Sequence, residues 1–204
     1  MRYLLLSSCL FFLAGCASSY KQLQKTEGDA SCLQKFHPRF TTVLYTTQVN
    51  IVGNHLSGLL VMKTMPDSST RVVFTSEMGL SLFDFEFAAN GEFKVHYIIK
   101  KMNRKAVIKT LRQDFDLVLM RGLHEHPQVF RRNDSIYYAF ARKKGSNYYI
   151  TDPGCNELLG IEKASRRKAM VKVIMKDYKN GIPDTIGMSH TNFQFTIGLK
   201  RLER

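Results

Sequence analysis

The chain has 204 residues, with 30 Lys+Arg against 17 Asp+Glu and a formal net charge of +13. That length suits one domain, and apolar and charged fractions of 44% and 23% exclude wholesale disorder, collagen and long coiled coils. There is no run of about 18 or more apolar residues, which excludes a multi-pass helical membrane protein, and the charge excess favours anionic partners such as lipid headgroups, lipopolysaccharide, nucleic acid or an acidic protein.

The first residues set the compartment. Arg2 supplies a positive start, an apolar stretch runs over 4–13, and Ala14, Gly15 and Cys16 follow at once. This is the plan of a secretory leader, except that its cleavage site ends in cysteine. It closely resembles the lipobox of bacterial lipoproteins. That resemblance implies removal of residues 1–15, a diacylglyceryl group on Cys16 as the covalent lipid and no other cofactor, and a net charge of +12 once Arg2 is lost from the +13 chain. Each buried CH₂ of such an anchor contributes about 0.8 kcal/mol. Ala17, standing where inner-membrane lipoproteins commonly carry Asp, implies sorting to the outer membrane, with the domain facing the periplasm. Residues 16–31 are polar and read as a lipidated tether to a domain over 32–204.

From about residue 40, β-branched and aromatic residues alternate with turn signals. Strands are expected over 41–52, 56–64, 71–76, 80–87 and 93–100, with Asn90-Gly91 closing a hairpin. In the fourth of these, Phe83, Phe85 and Phe87 share one face and Asp84 and Glu86 the other, so the phenylalanines are expected in a core or lining a cavity. The period then changes. Asn103 is placed to cap a helix running to about 119, in which Val107, Leu111, Phe115 and Val118 form an apolar stripe. Residues 121–134 read as a loop. Strands resume over 136–143, 148–151, 157–163, 170–177, 185–190 and 193–202. The sum is a mainly β fold of about eleven antiparallel strands and one helix. A sheet that long must curl, so the expected product is an incomplete, half-open barrel with a helical lid over an apolar cavity lined by Phe83, Phe85, Phe87, Val107, Leu111 and Phe115.

Cys9 leaves with the leader and Cys16 is acylated, so Cys32 and Cys155 remain in an oxidising compartment. An even pair there is read as one disulfide from the end of the tether to the second half of the domain. The alternative is two separate buried thiols.

The succession Ser57-Gly58-Leu59-Leu60-Val61, Arg71-Val72-Val73-Phe74 and Met78-Gly79-Leu80-Ser81-Leu82-Phe83-Asp84-Phe85-Glu86 resembles the first half of LolB, the outer-membrane lipoprotein receptor. The helix after the fifth strand and the Gly181-Ile182-Pro183-Asp184-Thr185-Ile186 stretch extend the likeness. The lipobox separates LolB-like proteins from LolA, their soluble relative. The resemblance implies a protein that accepts lipoproteins from a periplasmic LolA-type carrier and inserts them into the outer membrane, with membrane lipid as the other partner. It places Met78, with Leu80 beside it, on the loop the family uses for membrane insertion. The chain departs from the family in having no tryptophan, in its basicity, and in residues 121–134. The alternative is a lipoprotein of the same fold that binds another lipid, or docks an anionic envelope component through its basic runs.

Other chemistry is weakly represented. His124-Glu125-His126 offers two imidazoles but no third metal ligand in reach by spacing. Asp84 and Glu86 are expected to pair with cations across strands. No phosphate-binding loop, nucleophile elbow or dinucleotide fingerprint occurs, so the expectation is a protein that is not an enzyme and has neither metal nor nucleic acid as partner.

Overall fold

The computed structural model describes residues 20–202. The expected leader, the lipidation site Cys16 and the start of the tether lie outside the described residues. The described chain opens with a two-residue strand, β1 (Gln24–Lys25), and a short 3-10 helix (Ala30–Phe36). A first meander follows: β2 (Thr42–Ile51), β3 (Asn54–Thr64), β4 (Thr70–Ser76), β5 (Ser81–Phe87) and β6 (Phe93–Ile98). The helix α1 (Lys105–Val118) comes next. A second meander comprises β7 (Gln128–Arg132), β8 (Ser135–Arg142), β9 (Gly145–Thr151), β10 (Leu158–Ala164), β11 (Ala169–Lys179), β12 (Ile182–His190) and β13 (Phe195–Arg201).

All thirteen strands belong to one antiparallel sheet, in the order β1-β7-β8-β9-β10-β11-β12-β13-β2-β3-β4-β5-β6. The two meanders join along β13 and β2, where Phe195 faces Ile51 and Ile197 faces Val49. The sheet does not close: β1 and β6 remain its two edges. α1 leaves edge strand β6 and returns the chain to β7, one strand in from the other edge. The mainly β, half-open architecture with a helical cover is therefore as the sequence predicts, with thirteen strands rather than eleven.

The differences are local. Residues 128–132 form β7 rather than loop, because Asn133, at φ 52°, turns the chain tightly and pairs Val129 and Phe130 with Tyr138 and Tyr137. Asn103 is not the helix cap. Its N–H is taken up by Ile99 and Lys100 carbonyls, and Arg104, extended and without a side-chain cap bond, occupies the cap position. Residues 20–31 are laid on the sheet: Gln24 and Lys25 pair with Arg131 and Phe130, and the Tyr20 ring stacks on Tyr148 at 4.5 Å.

Alternation places the core. In β2, Val43, Tyr45, Thr47 and Val49 are buried and their neighbours are not, and β11 repeats the pattern with Val171, Val173 and Met175. A fully buried side chain of this size contributes roughly 1.5–3 kcal/mol. Gly58 is required where β3 meets β4: a Cβ there would lie 2.1 Å from the Thr75 carbonyl oxygen, beside the bulge between Phe74 and Thr75. Cys32 and Cys155 are joined in a disulfide across 123 residues, with their Cα atoms 6.4 Å apart. It ties the 3-10 helix, whose Leu33 and Phe36 are buried, to the turn between β9 and β10.

Candidate functional site

The curled sheet and α1 enclose a cavity of about 440 Å³, within the range of roughly 300–1,000 Å³ typical of small-ligand sites. Its floor is made by inward-facing residues of β2, β3, β4 and β13, among them Val49, Leu60, Phe74 and Ile197. Its roof is the helix stripe, through Val107, Leu111 and Phe115, and Phe83 completes the wall from β5. Ile51, Leu56, Met102 and Phe193 stand at its mouth, where Leu56 and Phe193 are partly exposed. Besides these apolar groups the lining offers two threonines, Thr47 and Thr110, and one charge, Lys101. The Thr47 hydroxyl donates to the Tyr45 carbonyl. Such a wall can hold a hydrocarbon chain and offers little to a polar ligand.

Four of the six expected lining residues, Phe83, Val107, Leu111 and Phe115, face the cavity. Phe85 and Phe87 do not. Phe93 from β6 packs on both, at 5.2 Å and 5.1 Å between ring centroids, and seals them into the solid core between sheet and helix. The alternation of β5 is right for all three phenylalanines; what separates them is the Phe93 ring of β6, which packs on Phe85 and Phe87. Met78 and Leu80 lie on the turn between β4 and β5 and are 91% and 52% exposed. Asp84 and Glu86 face outward: Asp84 pairs with Arg71, and Glu86 with Arg71, Lys94 and His96. Glu125 is bound by Arg142 at 2.5 Å.

One group on the helix is not apolar. Asp114 is 0% exposed, and its Oδ2 lies 2.9 Å from Nε2 of His190 at the end of β12. Its Oδ1 has no hydrogen-bond partner among the described residues. Burial pushes the Asp114 carboxyl above the usual carboxylate range, and the His190 hydrogen bond and the nearby Lys163 work against that. Desolvation likewise lowers Lys163 of β10, which donates to Gln113 of α1. The His190 ring packs on Phe193 and Phe195 at 4.7 Å and 4.9 Å, two residues that line the cavity. The pair therefore pins the roof to the mouth. Its signal is present in the sequence: position 114 falls one heptad after Val107, on the apolar stripe, and His190 shares a strand face with Ile186 and Met188.

The arrangement defines a class: an open antiparallel sheet curled over an apolar cavity that one helix roofs. No family model and no curated protein matches the chain. Among solved structures, a DUF1329 family protein from Desulfovibrio piger aligns with a TM-score of 0.47 and 8% identity, covering 85% of this chain and 88% of the other. A domain from Vibrio parahaemolyticus described as an outer membrane lipoprotein-sorting protein domain aligns with a TM-score of 0.46 and 7% identity, covering 85% and 90%. Likenesses of this degree assign no function, which rests on the chain's own residues.

Proposed function

We propose that the protein is an outer-membrane lipoprotein that takes the acyl chains of lipoproteins from a LolA-type carrier into its cavity and releases them to the membrane. The observation that carries this reading is the cavity: about 440 Å³, apolar apart from two threonines and a lysine, and roofed by a helix. Transfer from one apolar cavity to another needs no covalent step, so no catalytic residue is invoked. The lipobox-like start supports the anchor. Cys16 precedes Tyr20, the first residue seated on the sheet, by a segment spanning at most about 14 Å. A lipid on Cys16 holds the domain close to the bilayer rather than on a long tether. Met78 and Leu80, exposed on one turn, are the residues offered for insertion.

Residues 20–202 contain the whole sheet and its core, so the test uses residues 17–204 without lipid. The chain is mixed with a fluorescent acyl probe, and with a lipidated protein held by a LolA-type carrier. Saturable uptake and transfer are expected, and Ala106→Phe, which fills the cavity from the roof, lowers both by about tenfold or more. No uptake by a protein with a cooperative melt would defeat the reading. Uptake of the probe without transfer would leave a binder of some other lipid.

A further inference from the structure

The two ends of the sheet differ in charge. Strand parity places five hairpin turns at the cavity mouth, over 52–53, 77–80, 143–144, 165–168 and 191–194. Those five turns carry five cations, Lys143, Lys144, Arg166, Arg167 and Lys168, and one acid, Glu77. The five turns at the opposite end, over 65–69, 88–92, 133–134, 152–157 and 180–181, carry five acids and no cation. The segment that enters α1 at the mouth adds Lys100, Lys101 and Arg104. A helix N-terminus disfavours cations, because the macrodipole is positive there. These residues therefore make the mouth more positive at some expense to the helix.

Exposed large apolar residues of the ten turns follow the same division. Val52, Met78, Leu80 and Phe193 are 67%, 91%, 52% and 37% exposed, and all four lie in mouth turns. The turns form one rim: the Val52 N–H donates to the Gln194 carbonyl, the Glu77 N–H to Ser57, and the Thr191 hydroxyl to Ala169 beside the 165–168 turn. Val52 carries a further signal. With Gly53 it occupies a two-residue turn in which both have positive φ, 43° and 76°, a geometry that favours Asn-Gly. A β-branched residue there is strained, and with its side chain exposed it gains little from packing. Stability alone selects against it.

We propose that the mouth end of the sheet is a docking surface for an anionic lipid bilayer. Val52, Met78, Leu80 and Phe193 enter the headgroup boundary, and the cationic turns contact lipid phosphates. The far end, where the five acids of its turns are offset in part by Lys35 and by Arg39 beside the 180–181 turn, faces away. Charge complementarity chooses the occupant, since apolar tips flanked by lysine and arginine suit an anionic interface. The mouth then opens onto the leaflet. This rests on the insertion role given above to Met78 and Leu80 and extends it to Val52, Phe193 and the cationic turns; uptake into the cavity can fail without it, and it without uptake.

The test uses residues 17–204 and vesicles of phosphatidylcholine alone or mixed equally with phosphatidylglycerol. The chain has no tryptophan, so Phe193→Trp is a clean reporter of insertion. Binding and a blue shift are expected with the anionic vesicles alone, and salt weakens the binding. Val52→Asn combined with Phe193→Ser lowers binding about tenfold or more, and Val52→Asn alone raises the melting temperature by relieving the turn. Replacing Arg166, Arg167 and Lys168 with Glu removes the preference for anionic vesicles. Ala106→Phe, which fills the cavity, leaves vesicle binding intact. Equal binding to both vesicle types would overturn the proposal, as would unchanged binding in the Val52→Asn, Phe193→Ser variant or loss of binding in Ala106→Phe.

Discussion

Asp114 Oδ2 sits 2.9 Å from His190 Nε2, buried between the helix and the sheet. This contact fixes the cavity roof to the strand that ends at its mouth. Burial raises the carboxyl above its ordinary range, and a raised folded-state value means that folding favours the protonated form. Asp114 thus contributes stability that is fully present below the unfolded carboxyl range and is lost as pH rises through the folded value. Lys163 is the other charge facing the pair. Asp114→Asn removes this dependence. Thermal melts across a pH series should show the variant gaining on the wild type as pH rises from about 4, the unfolded carboxyl value, towards neutrality. A constant difference across that range would contradict the assignment. His190→Ala strands the buried carboxylate and is expected to cost about 3 kcal/mol or more at neutral pH.

The division within β5 gives a second expectation. Phe85 is 0% exposed and sealed by Phe93, so Phe85→Ala leaves a void in solid core and costs about 3–5 kcal/mol. The fraction that stays folded should bind an acyl probe as before. Val107 lines the cavity and is only half-buried. Val107→Ala should cost below about 1 kcal/mol yet change probe affinity. Denaturant titrations paired with probe binding separate the two. Similar probe affinities for wild type and Val107→Ala would remove the helix stripe from the site.

The disulfide gives a third. Linking Cys32 to Cys155 closes a loop across 123 residues, for which the chain-entropy model gives up to about 4–5 kcal/mol. Reductant should lower the melting temperature of the wild type and leave Cys32→Ser with Cys155→Ser unaffected. Hydrogen exchange should show Ala30–Phe36 opening first in that variant, since the bond holds that helix to the far turn. Asp152 organises this turn: its side chain accepts from the backbone N–H groups of Gly154, Asn156 and Glu157. Those bonds, led by Glu157, hold its carboxyl below the usual range. The turn's contribution is therefore present above the unfolded carboxyl range and is lost as pH falls.

How much of this was legible follows from what each residue depends on. The strands were, because alternation and Asn-Gly turns such as 90–91 and 180–181 are local signals. β7 was not, because Pro127 and a five-residue length hide a strand that exists only by pairing with β8. Phe83 and Phe85 are equivalent in sequence, and the packing of the Phe93 ring on Phe85 decides which meets the cavity. Met102 belongs to a connecting segment without periodicity, and Phe193, expected to open the last strand, lies in the turn before β13, whose pairing with β2 sets it at the mouth. Asp114 was legible by heptad arithmetic, but its partner lies 76 residues away.

The N-terminal segment yields the last prediction. Tyr20 stacks on Tyr148, and its hydroxyl donates to Glu162 at 2.5 Å. Burial beside that carboxylate raises the Tyr20 phenol above its usual range, so it remains a donor at physiological pH. A stacked pair of this kind contributes about 0.5–1.5 kcal/mol beyond area burial. β1 is two residues long, so its pairing with β7 is expected to rely on this contact. Tyr20→Ala should release residues 20–26, seen as faster hydrogen exchange at Thr26, whose N–H donates to the Val129 carbonyl. The uncovered β7 edge offers unpaired backbone groups to other chains, so the variant should self-associate on concentration while its melting temperature falls little. Unchanged exchange at Thr26 would show that β1 is held by its own pairing, and the short span between Cys16 and the sheet would no longer rest on Tyr20.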